Sequence, residues 1–186
     1  MSNRQFFVAC VLLMILVAAS ARAEERLRAS STEAPSNCLE AFNVKDCTGP
    51  AAGKTLCYYC RYGQRPVICV FARELDDATA RLLSRIDSLV EQRSNQRYAA
   101  FAVFLGKDTQ TTERQLQACA AKHALKHVPL TIYRDSDEKL TSALAVPRDV
   151  HLLVRHWHQG KVLSQREFDH PIDESKLDRY LTIMAG

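Results

Sequence analysis

Cys57 and Cys60, three residues apart, are the pair in this sequence best spaced for chemistry. On an extended strand their Cα atoms would lie about 10 Å apart, with the side chains on opposite faces. A disulfide needs Cα atoms within roughly 7 Å. The two can therefore bond to each other only if this stretch is a turn or one turn of helix. Such a short-loop disulfide can exchange with other thiols when nearby positive charge favours the thiolate, and Arg61 and Arg65 stand close in sequence. The competing reading is a structural staple. Cys38 and Cys47 precede the pair and are candidates for a structural disulfide. Four cysteines allow three pairings, and sequence does not choose among them. A four-thiolate metal site built from the same four residues would need two short knuckles of the zinc-ribbon kind, and there is one.

The remaining chemistry-bearing residues are weaker candidates. Cys69 lies in the middle of an apolar run and Cys119 on one face of a helical pattern, so both are expected as small buried hydrophobes. His156 and His158 share a strand face and could in principle reach one copper or zinc ion. With His151, they are instead expected to form a solvent-facing polar edge alternating with Leu153 and Trp157. His123 and His127 stand near a helix C-terminus, where the helix dipole favours them. Gly49 is one residue too close to Gly53-Lys54-Thr55 for a phosphate loop, and no strand precedes it. Neither G-x-S-x-G nor His-Glu-x-x-His occurs. Neither metal nor cofactor is expected.

These residues sit in a chain of 186 residues, 47% hydrophobic and 25% charged, with a net charge of +4. Those proportions suit a globular protein and exclude a collagen, a coiled-coil rod and a multi-pass membrane protein. The charge is too small to suggest a nucleic-acid partner. Arg4, the apolar run Phe6–Ala19 and Ala21-Arg22-Ala23 together fit a cleaved secretory signal over residues 1–23. The expected compartment is extracytoplasmic, periplasmic or secreted by bacterial-type export, with no stable membrane insertion after cleavage. There, paired cysteines tend to oxidise. Residues 24–37 have almost nothing large to bury and are expected as a flexible linker.

Residues 38–64 read as a loop-rich, cysteine-rich segment, and residues 65–186 as a domain. Pro66–Ala72 is a continuous apolar run, the pattern of a strand covered on both faces. A helix follows over 76–92, a strand over 98–105, a helix over 110–126, a strand over 128–133 and a short helix over 138–144. After Val146-Pro147 come a strand over 150–157, a hairpin turn at 158–161, a strand over 162–168 and a closing helix over 173–184. Alternating strands and helices imply right-handed crossovers and parallel pairing.

That order resembles the thioredoxin-like superfamily, most closely its exported TlpA-like and peroxiredoxin-like branches. Val146-Pro147 is similar to the cis-proline entry to the family's penultimate strand, and His158-Gln159-Gly160-Lys161-Val162 to its last hairpin. The segment Leu56-Cys57-Tyr58-Tyr59-Cys60-Arg61-Tyr62-Gly63 before Arg65-Pro66-Val67 resembles a group of secreted thioredoxin-like proteins. The resemblance implies a three-layer α/β/α sandwich with a mostly parallel sheet, a C-terminal hairpin and a cysteine-rich N-terminal extension. It also implies a substrate-binding edge at Val146 and Pro147. The family's cysteines follow the first core strand, where this chain has Phe71-Ala72-Arg73-Glu74-Leu75-Asp76 and no thiol. The expected activity is thiol–disulfide exchange at Cys57 and Cys60, with protein or small-thiol disulfide substrates. The alternatives are a non-catalytic binding module with structural disulfides and, less favoured, a Cys/His metal protein.

Overall fold

The computed structural model of the chain describes residues 39–168 and 173–185. The signal expected over 1–23, the linker expected over 24–37 and Cys38 lie outside the described residues. The segment expected to be loop contains two short strands, β1 (Val44–Asp46) and β2 (Thr55–Leu56), and one helical turn, α1 (Tyr58–Tyr62). The domain continues with β3 (Val67–Ala72), α2 (Asp77–Gln92), β4 (Ala99–Phe104), α3 (Gln110–Lys122) and β5 (Leu130–Tyr133). It closes with α4 (Asp137–Ser142), β6 (Leu152–His158), β7 (Lys161–Phe168) and α5 (Glu174–Ala185).

The strands form one sheet in the order β2-β1-β5-β4-β3-β6-β7. The central strands β3, β4 and β5 are parallel, in register from Val67↔Ala99 to Ala72↔Phe104 and from Ala102↔Leu130 to Phe104↔Ile132. All flanking pairs are antiparallel. The cysteine-rich segment accounts for part of that mixture. Its strand β1 pairs with β5 through Val44↔Tyr133 and Asp46↔Thr131, covering what would otherwise be a bare edge of the parallel core.

Connection handedness sorts the helices. The crossovers β3–α2–β4 and β4–α3–β5 advance in the same direction across the sheet, so right-handedness puts both helices on one face. There Leu82, Leu83, Ile86, Val90 and Leu116 pack on Ile68, Val70 and Ala102, joined by Leu177, Tyr180 and Leu181 of α5. The opposite face carries Val67, Cys69, Phe71, Phe101, Val103 and Trp157. It is covered by α1, by α4 and by Leu39 and Phe42, which makes the third layer. Strand β3 is buried along its whole length, as its unbroken apolar run requires.

The expectation for β6 is also corrected. β6 is not an exposed polar edge: it lies between β3 and β7, and all but its last residue are buried. His156 stacks on Tyr98 with ring centroids 5.7 Å apart. Arg155 is buried as well, its guanidinium donating to Gln165 Oε1 at 2.7 Å and the Ala145 carbonyl at 3.4 Å. The hairpin strand β7 takes the edge position that the periodicity of β6 alone suggested.

Candidate functional site

Cys57 and Cys60 are disulfide-bonded, with Cα atoms 5.3 Å apart, and the stretch is one helical turn. Cys57 is the N-cap of α1 in an extended conformation, and its Sγ accepts the Cys60 backbone N–H at 3.0 Å. The turn ends at Gly63, whose φ of 58° and ψ of −121° fall in a region that suits glycine; its N–H donates to the Tyr59 carbonyl. The two sulfur-bearing residues differ in access: Cys60 is exposed and Cys57 half-buried.

Three tyrosines interleaved with the cysteines bolt this turn to the sheet. The buried Tyr58 stacks on Phe101 and packs at a tilt against Tyr62, each at 5.2 Å between centroids. Tyr62 donates its hydroxyl to the Ala100 carbonyl at 3.2 Å, and burial pushes its phenol up to about 12. Tyr59 leans on Trp157 at 5.9 Å. With Tyr58, Tyr59 and Tyr62 turned inward, Cys60 and Arg61 are left facing solvent.

Beneath the turn sits a carboxylate that sequence reasoning missed. Asp46 is fully buried. Its Oδ1 accepts the N–H groups of Thr48 and Gly49 at 3.2 and 2.7 Å; its Oδ2 accepts the Ala51 N–H and the Tyr58 hydroxyl, both at 2.8 Å. Burial, and then the bond to Asp46, hold the Tyr58 phenol well above its ordinary range. The glycine-rich loop that superficially suggested a phosphate site therefore wraps a carboxylate of its own chain. Gly49 is required there sterically: a Cβ would come within 2.6 Å of Tyr58 Oη, 2.7 Å of Pro129 Cβ and 2.8 Å of Asp46 Oδ2. The only signal in sequence was the Asp-x-Thr-Gly-Pro string of turn formers, which does not announce a partner twelve residues on.

The other expected residues are elsewhere. Pro147 and Val146 lie at the C-terminal end of β3, where Arg73 donates to the carbonyls of Val150 at 3.0 Å and Pro147 at 3.3 Å. The disulfide turn packs at the opposite end, beside Trp157, the register partner of Val67. From Val67 to Ala72 the strand is about 17 Å long, so the two regions form separate sites. Arg73, Glu74, Leu75 and Asp76 fill the position where the resemblance would put cysteines. Arg73 staples the loop there, and Asp76 caps α2 through the Thr79 N–H at 2.7 Å and faces His151 Nε2 at 3.4 Å. Burial raises the Asp76 carboxyl, but the Thr79 and His151 contacts together outweigh it and hold the group below its usual range.

Arg65, expected to favour the thiolate from nearby in sequence, is held by the tyrosine platform and the loop before β4. Its guanidinium lies over the Tyr62 ring at 5.4 Å and donates to the carbonyls of Arg97 and Tyr98 at 2.8 and 3.2 Å. Cys47, Cys69 and Cys119 are free, buried thiols. Burial pushes Cys47 up to about 12 and Cys69 well above its ordinary value, and it raises Cys119 too. Among the described residues no three His, Cys, Asp or Glu side chains are gathered so as to hold a metal ion. No helix among them is long and apolar enough to cross a membrane.

No family model matches the sequence, and no curated protein matches it. Solved structures do match its fold. A peroxidoxin, BcpB, from Mycobacterium tuberculosis superimposes with a TM-score of 0.57 at 14% identity, covering 78% of this chain and 92% of that one. The exposed lipoprotein thioredoxin Etrx1 of Streptococcus pneumoniae gives 0.53 at 13% identity, over 77% and 99% of the two chains. A yeast mitochondrial 1-Cys peroxiredoxin gives 0.56 at 11% identity, over 79% and 74%. The fold is thioredoxin-like, with a Cys-x-x-Cys pair at the pole opposite Pro147.

Proposed function

We propose that the protein is an exported thiol–disulfide exchange protein acting through Cys57 and Cys60. The observation that carries this reading is the asymmetry of the disulfide: one sulfur-bearing residue open to solvent, the other half-buried and receiving a backbone N–H at 3.0 Å. An incoming thiolate attacks the accessible Cys60 Sγ. The S–S bond breaks, and its electron pair leaves on Cys57 Sγ. A hydrogen bond from an amide stabilises a thiolate, so Cys57 is the better leaving group. In reverse, Cys60 attacks a substrate disulfide and Cys57 resolves the mixed disulfide. The tyrosine platform holds both sulfurs on a rigid base, which keeps them aligned between the two steps. Protein and small-thiol disulfides both suit a site open to solvent. The similarity to an exposed lipoprotein thioredoxin agrees with an extracytoplasmic role, as does the Ala21-Arg22-Ala23 cleavage pattern.

A redox titration with single-serine variants tests this. Catalytic pairs run from roughly −270 to −120 mV, whereas structural disulfides lie below about −300 mV. Cys57→Ser and Cys60→Ser should abolish exchange while the domain stays folded. Only Cys57→Ser should trap a mixed disulfide, through Cys60. A potential below the structural threshold together with no exchange by the wild type would refute the reading. The competing binding-module reading rests on the thiol-free pole at Arg73–Asp76, and that result would favour it.

A further inference from the structure

Two clefts adjoin the disulfide turn, and both are lined by Tyr62 and Arg65. One, of about 380 Å³, opens between the Asp46 loop and the start of β5 and adds Lys126 and His127 to its walls. The other, of about 270 Å³, adds Arg97 and His158. Neither is lined by an aspartate or glutamate. Two carboxylates bonded to the cleft walls are committed to backbone and tyrosine donors. Asp87 accepts the N–H groups of Lys126, His127 and Val128 at 2.9, 2.6 and 3.0 Å, and Asp46 is enclosed by its own four donors. Among the described residues, Arg65, Arg97 and Lys126 have no ion-pair partner.

We propose that these clefts bind the carboxylates of an anionic low-molecular-weight thiol and hold its sulfur for exchange with the Cys57–Cys60 disulfide. The inference rests on the exchange reading and names its substrate class. Three features carry it. Arg65 is fixed by two carbonyls and a tyrosine ring, so its charge is in place before a ligand arrives and little side-chain entropy is lost on binding. The cleft volumes suit a small acid rather than a folded partner. Arg65 is five residues from Cys60, so the two Cα atoms are at most about 17 Å apart, and the helical turn between them shortens that span. Tyr62, only two residues from Cys60 in the same helical turn, lines both clefts, so they open directly beside the turn that carries the disulfide.

The chemistry balances without a further reagent in a single turnover. The ligand thiolate attacks Cys60 Sγ, the protein disulfide breaks, and Cys57 leaves as thiolate. A second thiolate attacks the ligand sulfur of the mixed disulfide and releases Cys60. Two ligand thiols are oxidised to one disulfide, the protein disulfide is reduced by two electrons, and the two thiol protons end on the protein thiols.

The test is single-turnover reduction of the oxidised protein by mercaptosuccinate, 2-mercaptoethanol and cysteamine. Each rate is divided by that thiol's rate with a small neutral disulfide, which removes differences in intrinsic reactivity. Mercaptosuccinate should exceed 2-mercaptoethanol by about tenfold at low salt, the size of an ordinary electrostatic rate gain, and lose most of that in 0.5 M NaCl. Cysteamine should fall below both. Arg97→Gln or Lys126→Gln should each lower the mercaptosuccinate preference about twofold to threefold, the effect of a unit charge about 8 Å away in water. Lys107→Gln, which removes a charge from an exposed site outside both clefts, should leave it unchanged. A second readout does not depend on exchange. Succinate added to the Cys57→Ser/Cys60→Ser protein should shift the amide resonances of Arg65, Arg97, Lys126 and His127. Equal normalised rates with no succinate shifts overturn the proposal. So does a rate gain seen only with a glutamate-rich cysteine peptide. If no thiol reacts at all, the exchange reading fails, and the succinate shifts still decide whether the clefts bind carboxylates.

Discussion

Asp46→Asn tests the structural logic beneath the disulfide turn, because it changes one oxygen into an NH2 group at nearly constant volume. In the wild type both carboxylate oxygens accept two donors each. If the amide NH2 replaces Oδ1, two backbone N–H groups lose their acceptor and face a donor. If it replaces Oδ2, the Tyr58 hydroxyl can turn and accept, but the Ala51 N–H is stranded. The second orientation costs less. Losing one bond to a charged group, about 1.5–3 kcal/mol, and stranding a buried donor, about 1–3 kcal/mol, gives a loss of roughly 2.5–6 kcal/mol. Tyr58→Phe removes a single donor from the same carboxylate and should cost about 1.5–3 kcal/mol. The two variants therefore have a fixed order, with asparagine the worse. Urea unfolding of the oxidised protein at pH 7 measures both losses, since a change in midpoint at constant slope reports stability. In thermal melts Tyr58→Phe should lower Tm by about 3–12 °C, at roughly 2–4 °C per kcal/mol for a domain of this size. Hydrogen exchange at the amides of Thr48, Gly49 and Ala51 should quicken in Asp46→Asn. An Asp46→Asn loss under about 1 kcal/mol, or one smaller than that of Tyr58→Phe, would refute the view that this carboxylate organises the loop and anchors α1.

Gly49→Ala should destabilise the oxidised protein by about 1–3 kcal/mol, the usual range for forcing a methyl into a filled site, and melts would measure it; no change would mean that the loop can move aside. After mild reduction, iodoacetamide at pH 8 should label Cys60 before Cys57 and leave Cys47, Cys69 and Cys119 unmodified until urea is added, as read by peptide mass spectrometry. Early labelling of Cys57 would reverse the assigned roles. His156 is held below its ordinary pKa, first by burial and then by His158 and Arg93. The unfolded chain thus binds a proton at this site at higher pH than the folded one does. Stability from this group is complete above the unfolded pKa of about 6.5 and is lost as pH falls through the lower folded value. His156→Phe keeps an aromatic ring against Tyr98 and should flatten the decline in urea stability between pH 7.5 and 5; an unchanged slope would assign the decline to other groups.

From Pro66 onward the sequence determined the architecture by itself. The unbroken apolar run of β3, the helical spacing of Leu82, Leu83 and Ile86, and the turn before Lys161 each encode their element locally, and right-handed crossover then leaves little choice of topology. The sequence also singled out Cys57 and Cys60 as the redox candidates and required a turn between them if they were to bond to each other. Tertiary structure alone decided the rest. β1 and β2 are too short for periodicity to reveal and exist because β5 offers an edge. The burial of His156 and Arg155 depends on β7 and on Tyr98, which the alternation within β6 cannot report. The anchoring of the disulfide turn rests on Asp46 and Tyr58, twelve residues apart, and on Phe101, further along the chain. Which sulfur faces solvent follows from which tyrosines turn inward, and that is fixed by packing against the sheet. Propensity and spacing act over a few residues, whereas the partners that orient this site lie on different strands and meet only when the chain folds.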